Sequence, residues 1–104
     1  MAKRKVIWSS KSKKTFKKIL EFYDERNGSN TYSLKLLADI EKIISYLPEN
    51  PEIGIKTDIA ETIKYLIKGD YKIIYDIQLQ TIEILMIWDC RQDPEKFKLD
   101  FDKP

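Results

Sequence analysis

The spacing of apolar residues changes once along the chain, at Pro48 and Pro51, and that change limits the folds open to it. Before the prolines apolar side chains recur at helical intervals, and after them they alternate. Phe16, Ile19, Leu20 and Tyr23 lie on one side of a helix, and Asn27-Gly28 offers a left-handed stop. This predicts a first helix over residues 11–26. Ser29 or Asn30 can cap a second, whose stripe is Leu36, Leu37, Ile40, Ile43, Ile44 and Leu47 and which the prolines end. The short Asn27-Gly28-Ser29 joint folds the pair into an antiparallel helical hairpin. Ahead of it, Lys5-Val6-Ile7-Trp8 reads as a strand running into a serine cap.

Beyond Pro51, Ile63, Tyr65 and Ile67 alternate with Lys64, Leu66 and Lys68, and Tyr71, Ile73, Tyr75 and Ile77 alternate with Lys72, Ile74 and Asp76. The turn is Gly69-Asp70. A two-residue loop mixes lysines into an apolar face, whereas a three-residue bulged loop pairs Ile67 with Ile73 and Tyr65 with Tyr75. The bulged register is therefore expected, with Lys64, Leu66, Lys68, Lys72, Ile74 and Asp76 on the face away from the helices. In the last strand Ile82, Ile84, Met86 and Trp88 form the expected core row, which sets Arg91 on the same face as Lys72. The expected fold is α+β: an N-terminal strand and an antiparallel helical hairpin packed on a twisted antiparallel sheet of about four strands. A single domain is expected over 1–104, with a short charged tail, 93–104, that either anchors through Phe97, Leu99 and Phe101 or orders on a partner.

Composition removes many chemistries. The 104 residues include no histidine and one cysteine, Cys90, which excludes disulfide frameworks, Cys/His zinc cages and histidine-based triads. No metal and no cofactor is called for. Catalysis would have to use Lys, Arg, Tyr or carboxylates. Cys90 itself is read as a small buried or edge residue, and Trp8, Trp88, Tyr65, Tyr71 and Tyr75 as packing residues. The chain is 42% hydrophobic and 35% charged, with neither an apolar run long enough to span a bilayer nor the apolar segment of a signal peptide, so the cytoplasm is expected.

The net charge of +2 hides an asymmetry. Eight of the 19 basic residues, and none of the 17 acids, lie in the first twenty positions, leaving that segment at +8 and the rest at −6. Lys11, Lys13, Lys14, Lys17 and Lys18 could be a solvated helix face. Lysines in the first turns, however, meet the positive end of the helix dipole, and a phosphate or acidic partner relieves that penalty.

Three stretches, in order, resemble the RelE/ParE toxin superfamily: Val6-Ile7-Trp8-Ser9 before a Lys-rich helix, Tyr71-Lys72-Ile73-Ile74-Tyr75 after the Gly69 turn, and the closing Ile87-Trp88-Asp89-Cys90-Arg91-Gln92-Asp93-Pro94. The resemblance implies the toxin of a type II toxin–antitoxin pair, neutralised by a cognate antitoxin. One superfamily activity is metal-free, ribosome-dependent mRNA cleavage, which needs a proton acceptor, a proton donor and cations around one phosphate. By position, Lys64 matches a strand lysine of the histidine-free nucleases, Lys72 stands where arginine is usual, and Arg91 matches an arginine beyond the last strand. In this reading Lys72 and Arg91 cradle the scissile phosphate while Lys64 assists proton transfer or neutralises charge, and Lys11, Lys13, Lys14, Lys17, Lys18 and Lys68 contact nucleic acid on the ribosome. Leu66 replaces a second lysine, Phe97 lacks a tail hydroxyl, and Lys72 cannot make the bidentate phosphate contact of arginine. These departures count against cleavage. The other superfamily activity, a ParE-like inhibition of DNA gyrase by protein contact, needs no catalytic constellation. A member without either activity, binding its antitoxin and co-repressing their operon, is the third alternative.

Overall fold

The computed structural model describes residues 3–91. Strand β1 (Lys5–Trp8) leads into helices α1 (Ser10–Asn27) and α2 (Thr31–Ile44). A short 3-10 turn (Pro51–Ile53) then precedes β2 (Ile55–Lys56), β3 (Ile63–Lys68), β4 (Tyr71–Ile77) and β5 (Thr81–Asp89). The strands form one sheet in the order β1-β5-β4-β3-β2. The α+β class is as expected, but there are five strands, and β1 runs parallel to β5, so the sheet is mixed. After β1 the helical hairpin leads to β2 at the far edge, and three successive antiparallel pairings bring β5 back beside β1, running the same way.

Local chemistry fixes the helix ends. Ser9 Oγ accepts the Ser12 N–H at 3.0 Å, an N-cap that satisfies one of the unpaired donors of the first turn. Gly28 closes α1 at φ 65°, a conformation costly to residues with a Cβ. Along α1, Ser12, Phe16, Ile19 and Tyr23 are buried; along α2, Ser33, Leu36, Ile40 and Ile44. Helix α2 ends three residues before Leu47, which is nonetheless fully buried in the turns that follow. The apolar members of these two rows, with Leu47, meet Tyr71, Ile73, Tyr75, Ile82, Ile84 and Ile87 in the main core. Each contributes about 1.5–3 kcal/mol relative to exposure.

The expected β3–β4 register is corrected. Lys68 pairs with Tyr71, Leu66 with Ile73 and Lys64 with Tyr75, so the loop has two residues, not three. Gly69 at φ 58° is followed by Asp70 without a positive φ, the pattern of a type II′ turn whose twist suits the flanking strands. Cross-strand partners share a face. Lys64 and Leu66 therefore lie on the helix-covered face, while Ile63, Tyr65 and Ile67 point away from the helices. Tyr65 does not pack against the helices as expected; it packs with Ile74, Met86 and Trp88. The inner face tolerates lysine because Lys64 sits toward the rim, where its stem is covered and its ammonium finds a carboxylate.

The last strand is corrected in its second half. Tyr75 pairs with Ile84 and Ile74 with Met86, leaving Leu85 as an extra residue in a β-bulge. Ile82 and Ile84 join the main core as expected, but Met86 and Trp88 cross to the outer face and Ile87 turns inward. Asp89, opposite Tyr71, and Arg91 follow the inward row.

Candidate functional site

The bulge at Leu85 brings Arg91 to the end of the helical hairpin where α1 joins α2. Its Nε and Nη2 donate to the two carboxylate oxygens of Asp89, both at 2.9 Å. Nη2 also donates to the Tyr23 hydroxyl and, at 3.2 Å, to that of Tyr71. Nη1 lies 3.9 Å from Asp70. The guanidinium carbon is 5.4 Å and 5.8 Å from the ring centroids of Tyr23 and Tyr71, within cation–π range. Tyr32 adds its hydroxyl 3.3 Å from that of Tyr71 and its ring 4.7 Å from that of Tyr23.

Nε and Nη2 are thus engaged by Asp89 and two phenols, while Nη1 makes only the longer approach to Asp70. Burial first, then the hydrogen bond shared with Tyr32 and the nearby carboxylates, pushes the Tyr71 phenol far above its ordinary range. Tyr71 stays neutral at physiological pH and is no general base.

Lys64 lies at the other end of the same face. It is 4% exposed, and its ammonium is 3.3 Å from Glu52 Oε2. Beside it the Tyr75 hydroxyl accepts the Gly54 N–H at 2.9 Å and donates to the Pro51 carbonyl at 2.8 Å, tying the 3-10 turn to the sheet. Lys64 is opposite Tyr75 and Arg91 touches Tyr71. Four residues of strand separate those tyrosines by about 13 Å. Lys72 is on the opposite face, its Nζ 4.8 Å from the Tyr65 ring centroid. Lys64, Lys72 and Arg91 therefore do not gather around one point, and the expectation that Arg91 shares a face with Lys72 is corrected by the bulge.

The basic residues assigned to nucleic-acid contact are exposed. Lys11, Lys13, Lys14, Lys17 and Lys18 lie on the outside of α1, whose first turn has no acidic residue, and Lys68 ends β3 beside the turn. Lys17 approaches Glu21 at 3.9 Å, one turn along the helix. Cys90 is exposed rather than buried, its N–H bonded to the Asp70 carbonyl at 2.6 Å, and partial desolvation of the thiol raises its pKa. Among the described residues no group of three or more His, Cys, Asp or Glu side chains is placed to hold a metal ion, and no helix is long and apolar enough to cross a membrane. Phe97 and the other tail anchors lie outside the described residues.

The phenols of Tyr23 and Tyr32 and the carboxylate of Glu52 are members of these clusters that residue spacing did not reveal. Tyr23 carried a signal: it is the one member of the α1 stripe with a polar tip, and a buried phenol needs a partner. Glu52 carried none.

The arrangement resembles known proteins at two levels. One solved structure, described as the chromosomal ParDE TA system from P. aeruginosa, superposes with a TM-score of 0.68 at 18% identity, covering 81% of this chain and 92% of that one, a likeness of fold. No curated protein matches the sequence at a significant level. The family model of the ParE toxin of type II toxin–antitoxin system, parDE, matches residues 6–94. With nearly the whole described domain inside that match, the chain belongs to the ParE toxin family of type II toxin–antitoxin systems.

Proposed function

We propose that this toxin acts by docking on a protein target, DNA gyrase, rather than by cleaving mRNA. The observation that carries the reading is the dispersal of the three cations. Phosphodiester cleavage without a metal needs a base, an acid and positive charge converging within hydrogen-bond reach of one phosphate. Here Lys64 is buried against Glu52, Arg91 is engaged by Asp89, Tyr23 and Tyr71, and Lys72 stands on the other face. A docking toxin needs a surface instead, and the exposed lysine row of α1 supplies charge for an acidic one. The partner that family membership brings, an antitoxin, is met by the same asymmetric charge.

Two purified assays test the reading. The chain is expected to inhibit supercoiling by gyrase and to leave mRNA intact in a ribosome-programmed translation extract, with Lys72→Ala as active as the parent. Ribosome-dependent mRNA cleavage that is lost in a folded K72A/R91A variant would overturn it and restore the catalytic roles of Lys72 and Arg91.

A further inference from the structure

The two edges of the sheet are protected unequally. At one edge β2 is only two residues long, too short to template another chain. At the other, β1 has four residues, pairs with β5 alone, and contains neither a proline nor a bulge. The Lys5 N–H donates to the Gln80 carbonyl at 3.1 Å and the Ser9 N–H to that of Ile84 at 3.0 Å, so in this parallel register the odd-numbered residues turn their backbone groups toward β5. Val6 and Trp8 turn theirs to the open edge, where no described residue bonds them. Ile7, opposite Glu83 on the outer face, is 38% exposed. On the helix side Trp8 stacks on Phe16, with ring centroids 5.7 Å apart. The charge along this edge has one sign. Lys5, Lys11, Lys13 and Lys14 are exposed, and none of them is in an ion pair among the described residues.

We propose that β1 is the docking edge for an extended, acidic segment of a partner protein, which adds to the sheet as a further strand. Val6 and Trp8 each offer one N–H and one carbonyl, and an antiparallel strand exchanges both bonds with residues placed in this way. Side chains select the sequence. The residue opposite Ile7 falls on the outer face beside the Glu83 carboxylate, which favours an apolar side chain there, while carboxylates toward the two ends meet Lys5 and the lysines that open α1. Charge also decides against a second copy of this chain. Pairing β1 with itself brings together two segments that each hold eight basic residues and no acid, and like charge along an edge is a device that blocks such pairing. This inference stands independently of the toxin's target.

The probe is the peptide acetyl-Glu-Glu-Val-Thr-Ile-Thr-Val-Glu-Glu-amide at millimolar concentration, and the readout is amide hydrogen exchange in the full chain. Without peptide, the Val6 and Trp8 amides are expected to exchange fast and those of Lys5, Ile7 and Ser9 slowly. The peptide is expected to slow Val6 and Trp8 about tenfold, and the same peptide with Lys in place of Glu to leave them unchanged. No slowing, or changes confined to the lysine side chains of α1, would overturn the proposal. Protection of Val6 and Trp8 in the free chain that grows with protein concentration would also overturn it, by assigning the edge to a second copy. Val6→Pro removes an outward N–H and spares every bond to β5, so it is expected to keep the far-UV circular dichroism of the parent and weaken peptide binding about tenfold. A last measurement leaves the chain unaltered: N-methylation of one alternate set of peptide nitrogens is expected to abolish binding and of the other set to preserve it, and equal effects of the two sets would refute strand addition.

Discussion

Gly54 sits where the 3-10 turn meets the sheet, and replacing it with Ala tests how that joint is held. A Cβ built there lies 2.9 Å from both Lys64 Cβ and Tyr75 Cε1, and the Tyr75 hydroxyl is nearer still. Gly54 has no positive φ, so the cost is steric and not conformational. Overpacking of this kind costs about 1–3 kcal/mol. Displacing the hydroxyl would also weaken its bonds to the Gly54 N–H and the Pro51 carbonyl, each about 1 kcal/mol. The expected loss for Gly54→Ala is therefore about 2–4 kcal/mol, a fall in Tm of about 10–30 °C for a domain of this size. Tyr75→Phe alone leaves the Pro51 carbonyl and Gly54 N–H without that partner, at about 1–2 kcal/mol. It also removes the atom nearest the new methyl group. In urea denaturation the double variant should then be less destabilised than the sum of the singles by about 1 kcal/mol. Additivity within about 0.3 kcal/mol would refute the assignment of the clash to the hydroxyl.

Gly69 gives the opposite case, a positive φ with nothing within 4 Å of a built Cβ. Gly69→Ala should cost about 1–2 kcal/mol from backbone strain alone, and Gly69→Asn less, in the same denaturation experiment. The raised phenol of Tyr71 sets an alkaline limit: the unfolded chain ionises this tyrosine from about pH 10 while the folded one holds its proton, so its contribution is intact below that pH and is lost as pH rises further. The Tm should fall above pH 10 less steeply in Tyr71→Phe than in the parent, and equal slopes would count against the shift. Arg91→Lys keeps the charge but not the fork on Asp89, and with the Arg91 side chain 46% exposed the expected loss is only about 1 kcal/mol, read by thermal melting.

Much of the fold was legible because its signals were local. Ser9, Asn27-Gly28, the α1 and α2 stripes and Pro48 and Pro51 each act within a few residues, and the elements fall where those signals place them. The site was less legible because it depends on pairing between strands. Preferring an all-apolar face misjudged Lys64, whose buried ammonium is balanced by Glu52 from a separate turn. The Gly69-Asp70 pair did carry the signal for a two-residue loop, since glycine at the first central position is the mark of a type II′ turn. The extra residue at Leu85 had no sequence signal, as Ile84-Leu85-Met86-Ile87 is apolar at every position and alternation cannot report a slip within it.

Both departures are single-residue shifts, and in a strand a single residue decides which face a side chain occupies. With a three-residue loop and no bulge, Lys64, Lys72 and Arg91 would all share the outer face, and a cationic site would exist there. The two-residue loop sends Lys64 inward and Ile63, Tyr65 and Ile67 outward. The bulge sends Arg91 inward and Met86 and Trp88 outward. Each shift therefore removes a cation from the outer face and replaces it with apolar or aromatic side chains. The loss of a shared phosphate site and the gain of an apolar outer face are one structural event seen from two sides. An outer surface built this way favours contact with protein over contact with a nucleic-acid backbone, whose affinity comes mainly from clustered charge.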